Sequence, residues 1–284
     1  MYRWRSFSRV AEYKTAVLLN PTFSREFLVA DALCRAIKAT EKIAHKGDCR
    51  NSTLSNSIRA ARWYQNLIAP PTTPPPWHEL EINAQFCAAS GAPSPALRLV
   101  APPERQPHNV RLPERPFVIA MGSTRQQKVW PEQYVRATAL YALNDHGLGP
   151  VIVGGERERE ASARLAAQLN NSIDLTGKLT LSELTYVLMR ASLILAMDSA
   201  VAHIGAAVNS PTIAVVGGGE PGRFFPYPRG TAPRLKVAYA LPPCAGCEWR
   251  CVHPRFTGET FPCVSDVSPE KVYALMDELL GASS

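Results

Sequence analysis

In the second half of the chain, short unbroken apolar runs alternate with stretches of helical period. The runs "FVIAM" (117–121), "GPVIVGG" (149–155), "SLILAM" (192–197) and "TIAVVG" (212–217) are rich in Val, Ile and Leu. They lack polar alternation, so each predicts a strand buried on both faces. Between them, "PEQYVRATALYAL" (131–143) predicts an amphipathic helix, "EREREASARLAAQLN" (156–170) a helix with acids near its start, and "LSELTYVLMRA" (181–191) a further helix. A short helix is expected over 200–208. "SPEKVYALMDELLG" (268–281) is punctuated as a helix, with Ser268 as N-cap, Pro269 at the first position and Gly281 past the end. Strands alternating with helices predict a parallel sheet covered on both faces.

The first hundred residues give a poorer pattern. "TAVLLN" (15–20) predicts one strand, and helices are expected over 25–39, 54–69 and 77–91. One strand is too few for an independent doubly wound sheet, so an incomplete α/β domain is expected here. "APPTTPPP" (69–76) reads as a stiff loop, because proline fixes φ and breaks both helix and ladder. The longer proline-rich stretch at 101–116 is the best linker. The expected division is an N-terminal domain over 1–105, a linker over 106–116 and a C-terminal domain over 117–284.

Composition narrows the class. The chain has 284 residues, 46% of them hydrophobic, enough for a sizeable core. No apolar run approaches the ~20 residues of a membrane span. The basic start carries only the four-residue apolar run "AVLL", too short for a signal peptide, so a cytosolic protein is expected. Seven cysteines fit a reduced compartment better than a disulfide scaffold. A net charge of +7 is either a solvated basic surface or an attraction for an anionic ligand or membrane face. Neither a zinc-finger spacing nor a basic aromatic sheet signature is present, which argues against nucleic acid.

Ligands of open α/β sheets sit beyond the carboxyl ends of strands, and three such ends are furnished for chemistry. After the first strand, "MGSTRQQKVWP" offers the hydroxyls of Ser123 and Thr124 and the point charge of Lys128, suited to phosphate, or forms an ordinary capped turn. After the second, Gly154 and Gly155 permit close approach, and Glu158 or Glu156 suits ribose hydroxyls or a helix start. After the third, "MDSAVAHIGAA" lets a helix N-terminus approach an anion closely. Asp198 would repel phosphate, so it is expected to cap amides or take ligand hydroxyls, with Ser199 and the next amides on the phosphate. His203 lies one turn on. Together these ends favour a nucleotide diphosphate; the dinucleotide fingerprint G-x-G-x-x-G is absent.

These segments carry a resemblance. "DSAVAHIGAAVNSPTIAVVGGGEP", "STRQQKVWP" and the intervening "LTGKLTLSELTYVLMRASLILAMDSAVAH" resemble glycosyltransferase family 9, the ADP-heptose:lipopolysaccharide heptosyltransferases. The likeness covers about 116–284 well, and 15–60 weakly through "LLNPTFSR" and "KGDCRN". It implies a GT-B architecture of two facing Rossmann-like domains, with no cofactor or catalytic metal. A heptose would pass with inversion from an ADP-sugar to a lipopolysaccharide core acceptor, whose negative charge the basic chain suits. Peripheral contact with the inner membrane surface is implied as well. Residue by residue, Ser123 and Thr124 would bind the diphosphate and Lys128 phosphate or sugar. Glu158, or Glu156, would hold the ribose, and the backbone at Leu179 would meet the adenine. Asp198 would bind sugar hydroxyls, Ser199 and the Ala200 amide phosphate, and His203 would support the site.

Two departures stand out. Ala200 replaces the family's usual glycine. The family's N-terminal Gly-Asp loop, with its catalytic carboxylate, has no counterpart, and Gly47–Asp48 sits in another context. A chain lacking the family's first βαβ units is therefore expected, with no base identified. Two alternatives stay open: a catalytically incomplete nucleotide-sugar-binding protein, or a UDP-sugar enzyme of the same architecture. Cys244, Cys247, Cys251 and Cys263, with His253 nearby, form a C-x2-C-x3-C-x11-C array open to zinc, an iron–sulfur cluster, a disulfide or free thiols, of which free thiols are favoured. Cys34, Cys49 and Cys87 are expected to be isolated and buried.

Overall fold

The computed structural model describes residues 14–48, 50–72, 76–93 and 96–281. The chain divides into two compact units, Met1–Leu97 and Arg98–Ser284.

The first unit runs β1 (Lys14–Asn20), α1 (Ala32–Ala36), β2 (Lys38–His45), α2 (Leu54–Ala61), β3 (Asn66–Ile68) and α3 (Glu79–Ala89). Its three strands pair in parallel in the order β1-β2-β3. This corrects the expectation of a single strand. The helix expected over 25–39 is a π-turn at Phe27–Asp31 followed by α1, and the chain then extends into β2. The helix expected over 54–69 ends at Ala61 and gives way to β3. The third expected helix is present as α3, whose His78 and Glu81 form a reciprocal capping box. The core is small, built on Ile43, Ile68 and Phe86.

Beside that core lies a buried polar chain. Asn20 donates to the Tyr64 hydroxyl at 2.9 Å, which donates to Asp31 at 2.8 Å. Arg25 pairs with Asp31 at 3.5 Å, both almost wholly buried. Burial pushes the Tyr64 phenol far above its ordinary range, so it stays a donor.

The second unit runs β4 (Pro116–Ala120), α4 (Glu132–His146), β5 (Gly149–Val153), α5 (Arg159–Ala166), β6 (Ile173–Asp174), α6 (Leu181–Met189), β7 (Leu193–Met197), α7 (Ala200–Ala207), β8 (Thr212–Val216), β9 (Leu235–Tyr239), α8 (Pro262–Ser265) and α9 (Pro269–Leu280). All six strands are parallel, ordered β6-β5-β4-β7-β8-β9. The four expected strands are there, and β6 and β9 extend the sheet at either edge.

The unbroken apolar runs have a simple cause. Successive side chains point to opposite faces, and both faces are covered. Phe117, Ile119, Leu193 and Leu195 face one core with α4 and α9 residues such as Val135 and Val272. Val118, Ala120, Ile194 and Ala196 face another with Val187 and Leu188 of α6 and Ala202 of α7. Each large aliphatic side chain buried this way contributes roughly 1.5–3 kcal/mol. Ser268 caps α9 by accepting from the Lys271 amide, and Gly281 closes it in the left-handed region at φ 72°. Residues ahead of β4 lie along this unit, with Val110 and Leu112 packed on the second core.

Candidate functional site

Strand order turns outward in both directions from the β4–β7 pair, and ligand crevices form beyond strand ends at such a switch. The loops leaving these two strands meet there. Ser123 donates its hydroxyl to the Asp198 carbonyl at 3.1 Å. Lys128, in the 3-10 turn Gln126–Lys128, places Nζ 2.7 Å from Asp198 Oδ2. Each of those side chains is only 13% exposed. The Asp198 amide donates to the Val215 carbonyl at 3.1 Å, which ties this loop to β8. The Asp198 carboxylate therefore pairs with Lys128, and the N-cap position of α7 belongs to Ser199. The expectation that Asp198 caps amides is corrected on that point.

Ser199 is extended, with φ −155°, and makes no side-chain cap bond. Its Oγ is buried without a partner among the described residues. Leaving such a hydroxyl unmet costs about 1–3 kcal/mol. The Ala200 amide opens α7, where backbone N–H groups and the helix dipole present positive charge.

The two acids after β5 separate. Glu158 turns inward: its Oε2 accepts from the Gly155 amide at 2.8 Å, and its carboxyl packs against Gly122. A Cβ on Gly122 would stand 2.6 Å from that carboxyl carbon, so a larger residue there would push the Glu158 carboxylate out of its present place. Glu156 turns outward to Arg159 at 2.6 Å. Thr124 is exposed on the β4 loop. Leu179 is half-buried against the second core. The His203 Nδ1 lies 2.6 Å from the Tyr227 hydroxyl, and its ring stacks on Phe225 with centroids 4.5 Å apart. Burial pushes the Tyr227 phenol up to about 12, so the phenol keeps its proton at neutral pH.

Several neighbours escaped sequence reasoning. The Lys128 ammonium sits 3.8 Å from the centroid of the Trp249 ring. The indole N–H of Trp249 donates to Glu220 at 3.1 Å, and Glu220 pairs with Arg223 at 2.7 Å. The run "GGGEPGR" after β8 was the available signal, since a glycine cluster marks close backbone approach.

Cys244, Cys247, Cys251 and Cys263 converge on one small pocket together with Trp249 and His253. All four are free thiols. Burial pushes the Cys263 thiol up, which keeps it protonated. Among the described residues, no three His, Cys, Asp or Glu are placed to hold a metal ion. Cys87 is exposed and Cys34 half-buried, against the expectation of burial, and Cys49 lies outside the described residues. No helix among the described residues is long and apolar enough to cross a membrane.

The family model described as glycosyltransferase family 9 (heptosyltransferase) matches residues 28–237. Lipopolysaccharide heptosyltransferase 1 of Pseudomonas aeruginosa is 32% identical over 136 residues, covering 48% of this chain and 37% of that protein. The matched stretch thus spans little more than a third of that relative's length. Among solved structures, Escherichia coli ADP-heptose lipopolysaccharide heptosyltransferase II aligns over 99% of this chain and 82% of its own, with TM-score 0.63 and 18% identity. Escherichia coli heptosyltransferase WaaC, solved with ADP, aligns over 98% and 77%, with TM-score 0.65 and 19% identity. At these identities the structural likeness speaks for a shared fold.

Proposed function

This chain belongs to glycosyltransferase family 9, the heptosyltransferases, and from that premise we propose that it binds an ADP-activated heptose at the β4–β7 switch point and transfers the sugar, with inversion, to a lipopolysaccharide core acceptor. The observation that carries the reading is the Lys128–Asp198 pair beside the N-terminus of α7. When the sugar is transferred, the bond from its anomeric carbon to the diphosphate breaks and the nucleoside diphosphate leaves, so charge accumulates on the diphosphate oxygens. Lys128 and the α7 amides are fixed positive groups aimed at that charge, and preorganised groups of this kind lower barriers. The unmet Ser199 hydroxyl suits a phosphate oxygen. The Asp198 carboxylate suits sugar hydroxyls while it holds Lys128 in place. Glu158, turned toward Gly122, suits ribose hydroxyls, which makes it the better candidate of the two acids. Thr124, Leu179 and His203 keep the roles the family resemblance gives them, in diphosphate binding, adenine contact and support of the site. The net charge of +7 suits an anionic glycan and the cytoplasmic face of the inner membrane where such glycans are built.

The test is ADP release from ADP-heptose with a heptose-deficient lipopolysaccharide acceptor, beside calorimetric titration of ADP and adenosine. Acceptor-dependent ADP release is expected to be slow, because no base for the acceptor hydroxyl proton is identified and the lack of a general base costs roughly 10²- to 10⁴-fold. Lys128→Ala should weaken ADP binding roughly 10- to 100-fold, the range of a charge-assisted hydrogen bond, and leave adenosine unchanged. Equal weakening for both ligands would remove Lys128 from the phosphate. A donor preference for a UDP-sugar would replace the ADP reading.

A further inference from the structure

The structure assigns Trp249 as the positioning residue for Lys128. The Lys128 ammonium is held between two surfaces, the Asp198 carboxylate at 2.7 Å and the Trp249 ring, whose centroid is 3.8 Å away. A ring face attracts a cation through its quadrupole, so the indole fixes the second direction that a single ion pair leaves free.

Everything around Trp249 holds the ring in that place. Its indole N–H donates to Glu220. The ring also meets Phe261, with centroids 5.4 Å apart. Gly217 and Gly219 lie so close to the ring that a Cβ on either would come within 2.8–3.0 Å or 2.3 Å of neighbouring side-chain atoms, the Trp249 ring among them in both cases. Glu248 and Trp249 both adopt left-handed φ, 52° and 65°, which bulky residues avoid. Strain of this kind persists only where the surroundings over-determine it. The surroundings here are backbone bonds from Gly246 to Gly218 and from Glu248 to Gly219, both 2.8 Å, and from Phe261 to Gln127, next to Lys128, at 2.9 Å. The segment bearing Trp249 is thus fastened to the strand end beneath it, and Phe261, which packs on the ring, is fastened to the turn that carries Lys128. Trp249 acts through the lysine and not on the sugar or the phosphates.

For its ligand the proposal rests on the donor-site reading above, so the test includes a measurement that needs no ligand. In Trp249→Leu and Trp249→Phe, the reactivity of the Lys128 amine toward an acylating reagent is read by peptide mass spectrometry, with other lysines as internal standards. Lys128 should react about 2- to 30-fold faster in Trp249→Leu, the span of cation–π contacts, with Trp249→Phe between it and the parent. ADP affinity should fall in the same order in the parent background and stay unchanged by Trp249→Leu in the Lys128→Ala background. Unchanged Lys128 reactivity in both folded variants would overturn the proposal, as would an equal loss of ADP affinity with and without Lys128. If the parent binds no ADP while Lys128 reactivity shifts as expected, the donor reading fails and the positioning role stands.

Discussion

At the residue scale, the candidate site is a set of polar groups committed to one another at fixed distances. Lys128 is not a loose surface lysine: its ammonium is mostly shielded, paired and covered by a ring. Holding a cation this way offsets the entropy that a long side chain would otherwise lose on meeting a ligand. The tightest packing in the region is at Gly219, where a Cβ would stand 2.3 Å from Trp249 Cδ2. Gly219→Ala is therefore expected to displace the indole without touching Lys128 itself. ADP affinity should drop by roughly 3- to 30-fold, the scale of a partly desolvated cation–π contact. Calorimetry on a variant with native-like circular dichroism decides it; an unchanged affinity would show that the ring need not lie where it does. The sequence offered Ser123, Asp198 and Ser199 because they stand at the ends of apolar runs, and Lys128 because it lies in the loop that follows the first of them. It did not offer Trp249, because φ values of 52° and 65° in consecutive non-glycine residues have no compositional mark.

At the scale of elements, the legibility of the strands in the second sheet followed their burial. β4, β7 and β8 are buried at every position, so, Thr212 apart, their sequences are unbroken apolar runs. β2 reads "KATEKIAH", full of Ala, Lys and Glu, which favour helix in isolation. Parallel pairing with β1 on one side and β3 on the other overrides that preference. β6 is two residues long and leaves no pattern to read. β2 ends on His45, wholly buried between the rings of Phe23 and Phe86. Its ring nitrogens make no full hydrogen bond among the described residues, and burial lowers its affinity for a proton. The unfolded chain holds that proton at an ordinary value of about 6.5. Below that pH the unfolded state binds more protons than the folded one, so the stability His45 contributes is present above about pH 6.5. It is lost as pH falls from there toward the lowered folded value. The urea midpoint of the first unit, followed by amide exchange in residues 14–48, should fall between pH 7.5 and 5.5. His45→Leu should flatten that dependence. Equal pH dependence in parent and variant would assign the effect to other groups.

For the molecule as a whole, each unit has its own sheet and its own core, and the polar groups of the candidate site all belong to the second. That sheet has a kinetic consequence. Its central neighbours, β4 and β7, pair Phe117 with Leu193, and the intervening chain supplies two strands on the far side of β4. A refolding chain must close this long loop before the middle of the sheet exists. Loop closure carries an entropic cost that rises with the length enclosed, and contacts between distant segments slow folding. Short-range pairs such as β8 with β9 have less chain to gather. Lys128 and Asp198 approach only when β4 and β7 register, so the capacity to bind ADP is a late product of refolding. In a dilution from urea, helical signal should return first. Binding of a fluorescent ADP analogue should recover together with protection of the β4 and β7 amides, in one slower phase. Recovery of binding ahead of that protection would mean that the two loops find each other without the sheet beneath them.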